Sequence, residues 1–233
     1  MVIGIIVGYI YEMITTISFI KYSSNKFWAF KQMNQSHKYF INNKNIKFYK
    51  LLGTGAGNGF LLPDLSTYAI LIVWNSKKFA EDFLANSEHS LIIEKKAKNR
   101  KDYYLKTIQT NGLWDNQNPF KENIVKYKNN DKIAIITRGK IRLSKQIDFW
   151  LNVPKASNAI KAAEGVEYYK GIGELPLLAQ ATFSVWENFE AVKNFAYKSR
   201  AHSDIIKKTK KRNWYSEDMF TRFIIINKVE KKF

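Results

Sequence analysis

The chain has 233 residues, no cysteine, and a formal net charge of +18 from 38 basic and 20 acidic side chains. The missing thiols exclude disulfides, thiolate metal sites and a cysteine nucleophile, and they suit a reducing, cytoplasmic location. The charge admits an anionic membrane surface or an acidic partner. No RNA-binding signature or zinc-finger spacing accompanies it, so nucleic acid is not an expected partner.

Residues 1–12 are apolar up to Glu12, too short a run to span a bilayer and without the basic start of a signal peptide. Met13 is an alternative start, and an N-terminal anchor is the competing reading. Ile14–Tyr22 is β-branched and aromatic and reads as a strand. After the capping residues Ser23-Ser24-Asn25, Lys26–Phe40 reads as a helix with Phe27, Trp28, Phe30 and Met33 spaced for burial. Ile46–Leu52 is a second strand. It runs into Gly53–Gly59, which lacks Gly-Lys-Ser/Thr and joins strand to strand, so it reads as a hairpin or lid and not a phosphate cradle. Thr67–Trp74 is a third strand, Ser76–Lys98 a helix, and Tyr103–Thr110 a fourth strand.

Gly112–Asp131 is polar and turn-rich and reads as a linker. The pattern then restarts with a strand at Lys132–Arg142 and a helix at Ser144–Ala163, bent near Pro154. Strands follow at Val166–Gly171 and Leu178–Trp186, then a long helix at Glu187–Arg212 and a last strand at Met219–Lys228.

The second half repeats the first. Val73-Trp74 and Val185-Trp186 each close an apolar run, Phe83 and Phe195 follow nine residues after the tryptophan, and Ser87 and Ser199 thirteen after it. His89 and His202 come fifteen and sixteen residues after it, each ahead of an Ile-Ile and paired lysines. Tyr49–Gly55 answers Tyr169–Gly173, and Phe27-Trp28 answers Phe149-Trp150. The reading is α+β: two tandem ferredoxin-like βαββαβ repeats, 13–111 and 132–233, joined by a linker at 112–131. An antiparallel sheet with helices on one face leaves the other bare. Two in one chain cover each other as a fused, pseudo-dimeric α+β barrel with a cavity between sheets and helices.

Of the three histidines, none forms an HxxxH or His-carboxylate cluster, which argues against zinc. A single helical histidine beside an apolar cavity suits a haem iron, and it equally describes an ordinary core histidine. Arg138, Arg142, Arg200 and Arg222 stand out in a chain that prefers lysine, and guanidinium groups suit carboxylates such as haem propionates as well as surface ion pairs. Phe183 and Trp186 are candidates to line an apolar pocket, or simply core.

From Ile14 to Asn227 the chain resembles the spheroidene monooxygenase family, the acyclic carotenoid 2-ketolases. The resemblance is carried by Phe27-Trp28-Ala29-Phe30, Phe48–Phe60, Thr137-Arg138, Ile141-Arg142, Phe149-Trp150, Lys170–Glu174 and Thr182–Trp186. Ala201-His202, Trp214-Tyr215 and Arg222-Phe223 complete it. The resemblance implies a haem-containing monooxygenase that uses O₂ and a reductant such as ferredoxin to hydroxylate an apolar polyene and carry it to the ketone. It implies His202 as iron ligand, with His89 the alternative from the other repeat, and it gives the basic surface a use against anionic membrane. The competing classes are a non-catalytic haem or hydrophobic-ligand module and a cofactor-free monooxygenase on the same barrel.

Overall fold

The computed structural model describes residues 12–57, 62–120, 125–175, 179–198, 208–209 and 211–233, with 153–159, 175, 197 and 198 as backbone only. The first half runs β1 (Ile14–Lys21), α1 (Lys26–Gln35), β2 (Ile46–Gly55), β3 (Pro63–Trp74), α2 (Lys77–Asn86), α3 (Glu88–Lys96) and β4 (Asn99–Gly112). The second runs β5 (Ile133–Ile141), α4 (Gln146–Lys161), β6 (Val166–Leu175), β7 (Ala179–Trp186), α5 (Phe189–Lys198) and β8 (Tyr215–Lys232). All eight strands close into one antiparallel barrel of order β1-β3-β2-β6-β7-β5-β8-β4. Each half contributes a ferredoxin-like sheet, with its first strand between its third and fourth.

The two seams between the halves are unequal. β4 and β8 pair from Asn99↔Lys232 to Gly112↔Met219, whereas β2 and β6 share only Gly53↔Gly173 and Thr54↔Ile172. Two lysines that correspond in the repeat brace the short seam from inside. Lys50 on β2 reaches Glu174 on β6 at 2.6 Å, and Lys170 on β6 reaches the Gly57 carbonyl at 2.6 Å and Asp64 at 3.3 Å. Burial lowers the Lys50 pKa, but its bonds to Asp115 and Glu174 outweigh this and hold it above the usual range.

Strand alternation sorts the apolar side chains between two faces. Phe19, Tyr103, Tyr168 and Phe183 meet inside the barrel with centroids 5.2–6.4 Å apart, among Ile17, Leu71, Ile136 and Phe223. The lumen is therefore a packed core filled with side chains. The linker does more than connect. Trp114 and Phe120 are buried in that same core, so the 113–120 segment plugs one mouth of the barrel. Gly112 makes the turn possible: its φ is +86°, and a Cβ there would lie 2.1 Å from the Asp218 carbonyl oxygen.

On the outer face of the first sheet, Ile14, Ile70, Ile72, Trp74 and Tyr104 pack against Ala29, Ala80, Leu84 and Ile93 of the helices. The single helix expected over Ser76–Lys98 is broken at Ser87, which is extended (φ −68°, ψ 150°) and whose hydroxyl accepts from the Ser90 amide to cap α3. The break lets Arg100 pin both helices to the sheet. Its guanidinium donates to the Leu84 carbonyl at 2.7 Å, the Ser90 hydroxyl at 2.5 Å and Asp102 at 2.9 Å, with both charged groups buried. α1 ends five residues earlier than expected and continues as a 3-10 turn at Ser36–Tyr39. Phe27 and Phe30, expected inside, are 72% and 59% exposed, because α1 rests on the sheet through Ala29, Trp28 and Met33 instead.

His89 faces this layer, enclosed by Phe40, Tyr39 and Phe83 with centroids 5.0, 5.1 and 6.1 Å away. Burial first, and then the Arg100 charge, lower its pKa to about 4.

Two outcomes are expected in denaturant titrations. Arg100→Met strands a buried Asp102 charge and costs about 3–5 kcal/mol, while Arg100→Met with Asp102→Leu regains most of it. For His89 the unfolded chain takes a proton near pH 6.5 and the folded chain only near pH 4. Acidification across that window therefore costs the wild type on the order of 3 kcal/mol relative to His89→Leu, at roughly 1.36 kcal/mol per pH unit.

Candidate functional site

The outer face of the second sheet has a different lining. Trp186 ends β7 buried, its indole N–H donating to the Ser184 hydroxyl at 2.9 Å, with the Phe195 ring of α5 5.0 Å away. Trp74 and Phe83 make the same pair in the first half at 5.2 Å, which explains the nine-residue spacing: a strand end and the first turns of the next helix meet there. Asn188 starts α5 by accepting from the Ala191 amide at 2.9 Å. Gly165, at φ +75°, lets the turn before β6 pass beneath it, since a Cβ would come within 2.5 Å of the Ala191 Cβ. Ile133, Ile135, Val192 and Ile224 complete an apolar wall. Arg222 lies on this face, its guanidinium carbon 4.2 Å from the Phe189 ring centroid and 5.9 Å from that of Phe220.

The candidate residues divide between compartments. Trp186 and Arg222 share the outer face. Phe183, three residues before Trp186, points into the packed lumen, so the two do not line one pocket. Arg138 also points inward and is spent on carboxylates: it pairs with Glu217, lies 3.4 Å from Glu174 and 3.5 Å from Asp115, and stacks 5.0 Å from the Trp114 ring. Arg142 stands exposed just beyond β5, its amide bonded to the Trp214 carbonyl. His89 sits in the filled layer of the first half. His202 and Arg200 fall outside the described residues.

The register aligns the halves residue by residue, since Trp74 pairs with Ile14 as Trp186 pairs with Ile133. Continuing across the sheets, Tyr104, Asp102 and Arg100 of β4 correspond to Arg222, Phe220 and Asp218 of β8. The buried ion pair that locks the first layer thus has no counterpart in the second. There an aromatic residue and a cation resting on aromatic rings take its place. An apolar wall with one guanidinium group suits a flat, hydrophobic ligand carrying a carboxylate.

At the plugged mouth, Lys50, Asp115, Arg138, Glu174 and Glu217 form one network, joined by the Trp114 indole N–H donating to Glu174 at 2.7 Å. Burial alone would raise the Glu217 pKa, but the Asn116 and Asp115 amides and Arg138 hold it below the usual range. Beside it opens a cavity of about 540 Å³ lined by Met13, Lys47, Phe48, Thr110 and Gln117–Phe120. Apart from Arg138, these residues are absent from the sequence-derived set; a tryptophan in an otherwise polar linker was the signal that pointed to the plug. Among the described residues there is no group of three side chains suited to a metal ion, and no helix is long and apolar enough to cross a membrane.

No family model matches the chain. A spheroidene monooxygenase of Rhodobacter capsulatus is 29% identical over 201 residues, 85% of this chain and 83% of that protein. One of Cereibacter sphaeroides is 28% identical over 223 residues, covering 93% and 68%. Among solved structures, the aldoxime dehydratase OxdRE in complex with butyraldoxime superposes with a TM-score of 0.62 at 8% identity, covering 94% of this chain and 81% of that one. A further aldoxime dehydratase gives 0.60 at 10% identity, covering 91% and 81%. The structures share the fold. The sequence likeness to spheroidene monooxygenases extends through both repeats, and the chain is a monooxygenase similar to them.

Proposed function

We propose that the chain is a haem-dependent monooxygenase that oxidises a long apolar polyene of the carotenoid class, using O₂ and electrons from ferredoxin or a similar donor. The observation that carries this reading is that relatives matched over 85–93% of the chain are named for an oxygenase acting on spheroidene. The residues on the outer face of the second sheet support it. Trp186, Ile135, Val192 and Ile224 would face the macrocycle and Arg222 would pair with a propionate; Arg200, outside the described residues, is the second candidate for that role. His202 follows α5 in sequence where His89 follows α2, and by that correspondence it is the residue that would hold the iron. Bound there, haem supplies the activation of oxygen.

The rest is the work of side chains. The apolar wall excludes water from the reacting carbon and orients the polyene by contact area alone, since the hydrocarbon has no polar handle. Arg222 would pair with a carboxylate of the cofactor, and Asn188 and Gly165 hold α5 against the sheet. Two turns of oxidation at one carbon give first the alcohol and then the ketone. His89 is unsuited to the same role: Tyr39, Phe40 and Phe83 enclose its ring, and Arg100 is already committed to Asp102. The substrate resides in lipid, so the protein works at an anionic membrane surface, drawn there by its positive charge.

Titrating the purified protein with haem and following the Soret band tests this. One-to-one saturation is expected, lost in His202→Ala and retained in His89→Leu. Arg222→Leu should weaken affinity by about 10- to 100-fold, the worth of a charge-assisted hydrogen bond. Loss of the band in His89→Leu but not in His202→Ala would move the ligand to the first repeat, and no binding by any form would defeat the haem reading. Saturation without turnover of a carotenoid by the reduced holoprotein would leave a binding module.

A further inference from the structure

α4 is built on two faces. Phe149 packs inward on Trp214 and Tyr215 with centroids 5.6 and 5.8 Å away, and Asp148 accepts from the Trp214 indole N–H at 2.7 Å and pairs with Arg212. On the other side, Ile147 and Leu151 share one stripe of α4 at four-residue spacing, and Leu143 precedes them in the 3-10 turn Leu143–Lys145 that leads into the helix. They are 76%, 80% and 73% exposed, more than any other large aliphatic side chains described. Three exposed aliphatic side chains on a helix and the turn that leads into it are costly to leave in water and mark a contact surface.

The charges beside the stripe indicate what covers it. Arg142 and Lys145 flank Leu143. The Arg142 amide donates to the Trp214 carbonyl, and Arg212 is held on Asp148, so the basic segment that includes Lys208, Lys211 and Arg212 ends beside the first turns of α4. The acid of this helix region, Asp148, is already neutralised by Arg212. Aliphatic side chains bordered by an excess of cations match the two layers of a bilayer surface, hydrocarbon below and phosphate above.

We infer that α4 is the membrane-docking element of the protein: Leu143, Ile147 and Leu151 enter the acyl region of an anionic bilayer while Arg142, Lys145 and Lys211 hold the headgroups. The choice of lipid over a protein partner rests on the polyene reading, because a substrate dissolved in lipid needs an enzyme that meets the bilayer beside its site. α4 belongs to the half whose outer face carries Trp186 and Arg222, so the docked surface and the proposed site lie on the same half.

Co-sedimentation with phosphatidylcholine vesicles, with and without phosphatidylglycerol, tests the assignment. The wild type should bind the anionic vesicles. Leu143→Ser with Ile147→Ser and Leu151→Ser should lower that partition on the order of 100-fold. Arg142→Gln with Lys145→Gln and Lys211→Gln should lower it by about tenfold or more, and only where phosphatidylglycerol is present. As a control, Phe27→Ser with Phe30→Ser on α1 should bind like the wild type. The assignment is overturned if the serine variant of α4 binds like the wild type, or if the wild type binds neither vesicle. It is also overturned if the stripe proves to join two copies, seen as a dimer in sedimentation equilibrium that the α4 serine variant dissolves. Haem titration of that variant keeps the two readings apart, because a normal Soret band with lost vesicle binding leaves the site reading standing, and the reverse leaves the docking reading standing.

Discussion

The strands at the centre of each half carry apolar side chains on both faces, and that requirement organises the molecule. An antiparallel sheet with one greasy face can leave the other to water; here Ile17 and Leu71 point one way and Ile14, Ile70 and Trp74 the other. The inner faces are covered by the other half's sheet, with the 113–120 segment over one mouth, which forces closure. The outer faces are covered only by helices, which creates a separate layer on each half. The lumen becomes a solid core of aromatic rings, and any ligand space is displaced to the helical layers or to the mouths.

Closure brings charges into places that would otherwise be too costly for them. Lys50, Lys170 and Arg138 all point inward, yet each reaches carboxylates or carbonyls across the junction between halves or to the linker. A buried ion pair of this kind adds little net stability over a hydrophobic equivalent, but removing one partner is severe. Such groups act as register pins. They allow the correct pairing of Gly53 with Gly173, where backbone bonds are few, and they seat Trp114 over the mouth.

Much of the architecture was legible because the repeat is written in residues that touch. The Val-Trp ends and the phenylalanines nine residues on are ring pairs in space, so their spacing carried the strand–helix geometry directly. What escaped depends on contacts remote in sequence. The break at Ser87 answers to the Arg100 pin, thirteen residues on. Phe27 and Phe30 fit a helical stripe by periodicity, but which stripe faces the sheet is set by the neighbouring strands. Of the sequence-derived candidates, Trp186 and Arg222 share the outer face; that Phe183 and Arg138 belong to the other side of the sheet follows from alternation along strands whose partners had to be known first.

Joining two ferredoxin-like units in one polypeptide has a consequence for number. Two identical chains closing such a barrel would be held to symmetry, so any residue that opened one helical layer would open both. In the tandem chain each layer is free to change alone. The first keeps the ion pair of Arg100 with Asp102 and stays sealed, while the second exchanges those positions for Asp218 and Phe220 and turns Tyr104 into Arg222. One half can then serve as ballast for the other, because a change in the second layer carries no obligation to repeat it in the first, as a symmetric dimer would require.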